Sequence, residues 1–153
     1  MVQRRLNALT VAPDGVAALI AVENYLKKSG LDRKLTLLVK TRASQINGCA
    51  YCLHMHTEDA RKLGETEMRL YLLEAWRESN LYSERERAAL AWTEALTNIA
   101  VTHAPDAVYD QARKHFSEKE LADLSIAIAM INAWNRLSIG LRAVHAAELA
   151  KAA

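Results

Sequence analysis

The chain has 153 residues, 51% of them hydrophobic and 25% charged, with a formal net charge of +2. That length defaults to one domain with room for a sizeable core, and the interspersed, nearly balanced charge points to neither nucleic acid nor a membrane surface. No apolar run of about 18 residues exists, so no transmembrane helix is expected; residues 1–10 lack the long apolar core of a signal peptide, so a cytoplasmic protein is expected.

Residues 1–12 read as an irregular arm. Pro13-Asp14 opens a first helix over about 14–29, where Val16, Leu19, Ile20, Val22, Glu23, Tyr25 and Leu26 keep a mixed but helical pattern and Gly30 stops it. Asp32 is placed to cap a second helix over 33–45, and Asn47-Gly48 is a turn dipeptide that ends it. A third helix is expected over 49–63, with Gly64 as its stop, and a fourth over 67–78. Ser83 to Glu86 and Ser117 to Glu120 both fit the capping box Ser-x-x-Glu. They open a fifth helix, to about Ile99, and a C-terminal segment that stays helical from Leu121 to Ala150. That segment is expected as one kinked helix or as two helices broken near Asn132 to Arg136. Between them Pro105-Asp106 starts a sixth helix, ending near His115. No β-alternation of length appears. The fold class is therefore all-α, a compact bundle of about seven helices in a single domain over 1–153.

Reactive side chains cluster in one place, Cys49-Ala50-Tyr51-Cys52-Leu53-His54-Met55-His56, which holds both cysteines. Residues three and four apart share a helix face, so Cys49, Cys52 and His56 line one stripe, with the thiols in the first turn. That turn carries unsatisfied N–H groups and partial positive charge, which favours a thiolate. Helical side chains lean toward the N-terminus, which lets His56 reach back over Cys52 as a base. A second thiol one turn away can capture an oxidised first thiol as a disulfide. In a reducing compartment this spacing suits peroxide reduction or disulfide exchange better than a structural staple. A zinc site would want four ligands in paired groups, and neither a second CxxC nor an HxxxH is present.

The run Ser44-Gln45-Ile46-Asn47-Gly48-Cys49-Ala50-Tyr51-Cys52 followed by His56 resembles the alkyl hydroperoxidase D (AhpD)-like branch of the carboxymuconolactone decarboxylase family. The similarity continues through Ala60 to Glu65, Glu84 to Leu90 and Asn132 to Arg136. The resemblance implies an all-helical thiol peroxidase that binds no cofactor and assembles as a trimer or hexamer. It further implies Cys52 as the thiol that attacks an organic hydroperoxide, Cys49 as the resolving thiol and His56 as the proton-relay base, with a dithiol or protein reductant closing the cycle. Two positions depart from the family pattern: the relay Glu twelve residues before the first Cys is Leu37 here, and the His before the second Cys is Tyr51.

Glu86 and Glu94, eight residues apart on the fifth helix, are candidates for the missing relay acid; the competing reading pairs them with Arg85 or Arg87 on a solvated face. His54 points off the reactive stripe, and Tyr51 is a packing ring or a donor to substrate. Asn132, Trp134, Asn135 and Arg136 interrupt an apolar run and read mainly as a structural hydrogen-bonding cluster. Two other functions stay open at this stage: a protein disulfide reductase or redox adaptor, and a non-redox decarboxylase-like oligomer.

Overall fold

The computed structural model describes residues 3–145 and 147. Its elements are α1 (Ala8–Val11), α2 (Pro13–Leu26), α3 (Arg33–Asn47), α4 (Ala50–Lys62), α5 (Glu67–Tyr71), a 3-10 turn (Leu73–Glu78), α6 (Glu84–Thr97), α7 (Ile99–Thr102), α8 (Asp106–His115) and α9 (Glu118–Gly140). The all-α class is as the sequence implies. Among the described residues no helix is long and apolar enough to cross a membrane.

The bundle is built around α3. Leu35, Leu37, Leu38, Val39, Lys40, Thr41, Ala43 and Ser44 are all buried, the pattern of a helix covered on nearly every side. Two of its hydroxyls are satisfied within the helix, Thr41 donating to the Leu37 carbonyl at 2.8 Å and Ser44 to that of Lys40 at 2.7 Å. Helices α4, α6 and α9 pack around it. The main core joins Leu35 and Val39 of α3 to Ala88, Ala89 and Trp92 of α6, Phe116, and Leu121, Leu124 and Ile128 of α9. The alanines leave no bulk between α6 and its neighbours, so the helices close up around Trp92 and Phe116.

Both capping boxes form, Ser83 with Glu86 and Ser117 with Glu120. Helix boundaries depart from the sequence reading at four places, giving ten helical segments among the described residues instead of about seven. The arm contains the short α1, capped by Asn7. The fourth helix splits at Leu72 and tightens into a 3-10 turn, in which residues three apart eclipse. That geometry sends both Leu73 and Trp76 into a core cluster with Leu38, Tyr82 and Leu90. The fifth helix ends at Thr97, and α7 follows, closed by His103 and Ala104 at φ of 53° and 48°. Helix α9 passes unbroken through 132–136, because its buried amides find partners, and stops at Gly140. Residues 146 and 148–150 of the expected C-terminal helix lie outside the described residues.

Candidate active site

Helix α3 ends on Gly48, whose φ of 69° is left-handed and suits a residue without a side chain. The amides of Gly48 and Cys49 bond back to carbonyls of Gln45 and Ser44 (3.1 and 3.0 Å), closing the turn. Cys49 then stands in an extended conformation as the N-cap of α4, its Sγ accepting the N–H of Cys52 at 3.4 Å. A sulfur takes the capping role usually given to Ser, Thr, Asp or Asn.

The turn is braced from α9. Asn47 Nδ2 donates to Oδ1 of Asn132 and of Asn135, each at 2.9 Å, and Asn135 Nδ2 donates to Ser44 Oγ at 3.1 Å. Asn132 Nδ2 in turn donates to the Ile128 carbonyl at 2.9 Å, and Arg136 donates back to Asn132. Asn132, Asn135 and Arg136 thus form a hydrogen-bonding cluster that braces the dithiol turn, whereas Trp134, grouped with them by the sequence, donates to Glu23 and lines the cavity.

Both cysteines are reduced and only 1% exposed, packed against Ala43, Ile131, Tyr51 and Trp134. Each sulfur shifts the other's titration, in opposite directions. The hydrogen bond from the Cys52 thiol, more than any other cause, pulls Cys49 down to about 6. Burial opposes this, and the Cys52 amide with the Asn135 and Ser138 side chains add to it. The same bond and burial push Cys52 up. The capping sulfur is thus the one favoured to carry charge, at the N-terminus of α4 with the Cys52 N–H aimed at it. Cys52 Sγ lies 3.8 Å from Ser138 Oγ.

Cys52, not Cys49, opens onto a cavity of about 610 Å³. Leu26, Leu31, Leu37, Met55 and Trp134 give it apolar walls, and His56 lines it with Cys52. His56 is buried and its Nδ1 has no hydrogen-bond partner. Burial first, then the charge of Lys40, pushes its imidazole down to about 4, with Glu23 and Asp59 opposing. At neutral pH it is an uncharged ring, able to accept a proton. Glu23, also in the cavity wall, is held by Lys40 at 2.5 Å and by the Trp134 indole N–H at 3.1 Å.

The sequence profile described as the carboxymuconolactone decarboxylase family matches residues 13–95. The chain belongs to that family. Within it the fold and motif are those of the AhpD-like branch. An uncharacterized protein of Bacillus subtilis (strain 168), YdfG, is 44% identical over 138 residues, covering 90% of this chain and 94% of its own. A solved protein of unknown function from Agrobacterium tumefaciens, described as a candidate antioxidant defence protein AhpD, is 43% identical with a TM-score of 0.91, covering 94% of this chain and 98% of that one. An AhpD core structure, an uncharacterized peroxidase-related protein from Ralstonia eutropha JMP134, is similar in fold alone: TM-score 0.80 at 20% identity, covering 92% of this chain and 75% of that one.

In this AhpD-like chain Leu37 fills the place of the family's relay acid and presents an apolar wall to the cavity. Neither acid that the sequence offers instead comes near it. Glu86 binds Arg69 at 2.5 Å and closes the Ser83 capping box, and Glu94 accepts from Arg42 at 2.8 Å, Trp76 at 2.9 Å and Arg77. Both are committed to holding α6 against its neighbours, and neither lines the cavity. Two carboxylates do line the cavity with Cys52 and His56: Asp59, on the exposed side of α4, and Glu23, which comes from a different helix and is the less exposed of the two. Its signal in the sequence is faint: α2 carries only two acids, Asp14 in its first turn and Glu23 deep in its apolar pattern. Lys40 and Ser138 carry none. His54 lies off the reactive stripe, 3.4 Å from Glu58 and stacked on His145 at 5.0 Å. Among the described residues no group of three or more His, Cys, Asp or Glu is arranged to hold a metal ion.

Proposed function

We propose that the protein is a cytoplasmic antioxidant thiol peroxidase that reduces organic hydroperoxides through a Cys49–Cys52 dithiol/disulfide cycle. One observation carries this reading: two free, buried sulfurs stand one helical turn apart, joined through the Cys52 N–H, and only Cys52 lines a cavity that His56 also lines.

The steps follow from that arrangement. The proton on Cys52 passes to the Cys49 thiolate or to His56, leaving a Cys52 thiolate at the cavity. Its sulfur attacks the distal peroxide oxygen and the O–O bond breaks. The sulfur is oxidised to sulfenic acid, and the leaving alkoxide takes the proton held by Cys49 or His56 to become the alcohol. Cys49, again a thiolate after giving any proton it held to the alkoxide, then displaces hydroxide from the Cys52 sulfenic acid; the S–S bond forms and the hydroxide takes a proton from solvent and leaves as water. Two electrons from an external dithiol or protein reductant restore both thiols. Glu23 is a positioning residue here: its charge favours the protonated form of His56 while Lys40 opposes it, so the pair sets how readily the imidazole accepts. No bound cofactor enters these steps. Assembly as a homo-oligomer, trimer or hexamer, belongs to the same proposal and rests on the family resemblance.

A protein disulfide reductase ranks second, because both sulfurs are 1% exposed and the approach is shaped for a small molecule. The test is mass spectrometry after one equivalent of cumene hydroperoxide. A loss of two hydrogens confined to the peptide holding Cys49 and Cys52, with turnover abolished by Cys52→Ser, is the expected result. Unmodified thiols, or full turnover in Cys52→Ser, would sink the assignment.

A further inference from the structure

The cavity is far larger than hydrogen peroxide needs. About 610 Å³ falls inside the range of sites for organic ligands, roughly 300–1,000 Å³, and apolar walls reward a substrate that carries hydrocarbon.

Its charges are distributed unevenly. Five charged residues line it: Glu23, Lys27, Arg33, Lys40 and Asp59. Two pairs cancel. Glu23 is bound to Lys40 at 2.5 Å, and Asp59 lies 3.5 Å from Lys62, outside the cavity. That leaves Lys27 and Arg33, both exposed at the rim where α2 gives way to α3, and neither is ion-paired among the described residues. Asp32 beside them is engaged as the cap of α3, accepting the Leu35 amide at 2.7 Å. The site therefore has an oxidisable sulfur at its buried end, hydrocarbon along its walls and two uncommitted cations at its mouth.

We propose that the preferred substrate is amphipathic: an alkyl-chain hydroperoxide bearing a carboxylate, of the fatty-acid hydroperoxide class. The chain lies against Leu26, Leu31, Leu37, Met55 and Trp134, and the carboxylate meets Lys27 and Arg33. The assignment rests on the peroxidase reading for its reactive group but not for its head-group preference. Each buried methylene adds about fourfold in affinity. The exposed cations add about fivefold each at most, and that part weakens with salt.

The decisive experiment separates binding from turnover. Decanoate, decanol and decyl phosphate are titrated by calorimetry into the reduced protein and into the double variant Lys27→Glu, Arg33→Glu, with circular dichroism confirming that the variant is folded. Decanoate should bind at least about fivefold tighter than decanol at low salt, and the advantage should vanish in the variant. Equal affinities, an advantage untouched by the double variant, or decyl phosphate binding more than about tenfold tighter than decanoate would overturn the proposal. In the kinetic arm, a fatty-acid hydroperoxide should exceed its methyl ester in kcat/KM by a similar factor. If neither hydroperoxide turns over while decanoate keeps its advantage, the peroxidase reading fails and the head-group assignment stands.

Discussion

Asn47 and Asn135 are joined at 2.9 Å, amide to carbonyl oxygen, and through that bond the end of α3 and the middle of α9 hold the dithiol turn between them. Asn135 also serves Ser44 and helps lower both thiols. Replacing it with Ala strands polar groups in a buried setting and should cost about 1–3 kcal/mol of stability. The onset of dithiol ionisation should move upward as well. Urea unfolding and thiol alkylation against pH measure the two effects; a change in neither would show that the brace is idle.

Ionisation of the pair gives a second prediction. Thiolate absorbance should rise through about pH 6, well below an ordinary thiol. Cys52→Ala, which removes the side-chain donor, should shift the remaining Cys49 transition upward. An unchanged transition would place the charge on another cause than the partner sulfur.

His56 should make the fold acid-sensitive. Its folded value of about 4 lies below the 6.5 of a free imidazole. Between those limits the unfolded chain takes up a proton that the folded chain refuses, so stability falls as pH falls. The term is absent above pH 6.5 and reaches about 3 kcal/mol near pH 4. Urea midpoints of the wild type and His56→Gln, compared at neutral and acid pH, should differ by that loss; parallel behaviour would contradict it.

Glu23 and Lys40 form a pair whose side chains are only 18% and 9% exposed. Glu23→Gln alone leaves Lys40 uncompensated and should cost roughly 3 kcal/mol, whereas Glu23→Gln with Lys40→Met should be close to neutral. On turnover, Glu23→Gln should lose roughly tenfold or more, and adding Leu37→Glu should recover part of it by placing an acid where the family resemblance puts one. No recovery, with the protein folded, would argue against an acid acting on His56.

Gly48→Ala tests the turn itself. The new methyl meets nothing within 4 Å, so the penalty is conformational, about 1–2 kcal/mol for a left-handed residue. A larger loss would point to the turn making contacts beyond the backbone.

The sequence made the class of fold and the reactive stripe plain, because both depend on local rules. Capping boxes, helix-stopping glycines and the three- and four-residue spacing of Cys49, Cys52 and His56 are decided within a turn or two of chain. The fate of the acids was hidden, because it depends on which helix lies next to which. Glu86 and Glu94 sit on the right sort of helix but turn toward Arg69 and Arg42, whereas Glu23 reaches the cavity from an element about thirty residues before the second thiol. The split at Leu72 was equally out of reach: only the core that receives Leu73 and Trp76 calls for it.

Cys49 lies behind Cys52 as seen from the cavity, and neither sulfur breaks the surface. In the proposed cycle, once the two are joined, recharging has to start at the front atom and come through the same cavity the oxidant used. A slender dithiol or a thin, extended peptide fits that requirement, while a bulky globular thiol is turned away unless the doorway widens. On the proposed cycle, the electron donor is therefore expected to be selected first by its girth and only then by its potential.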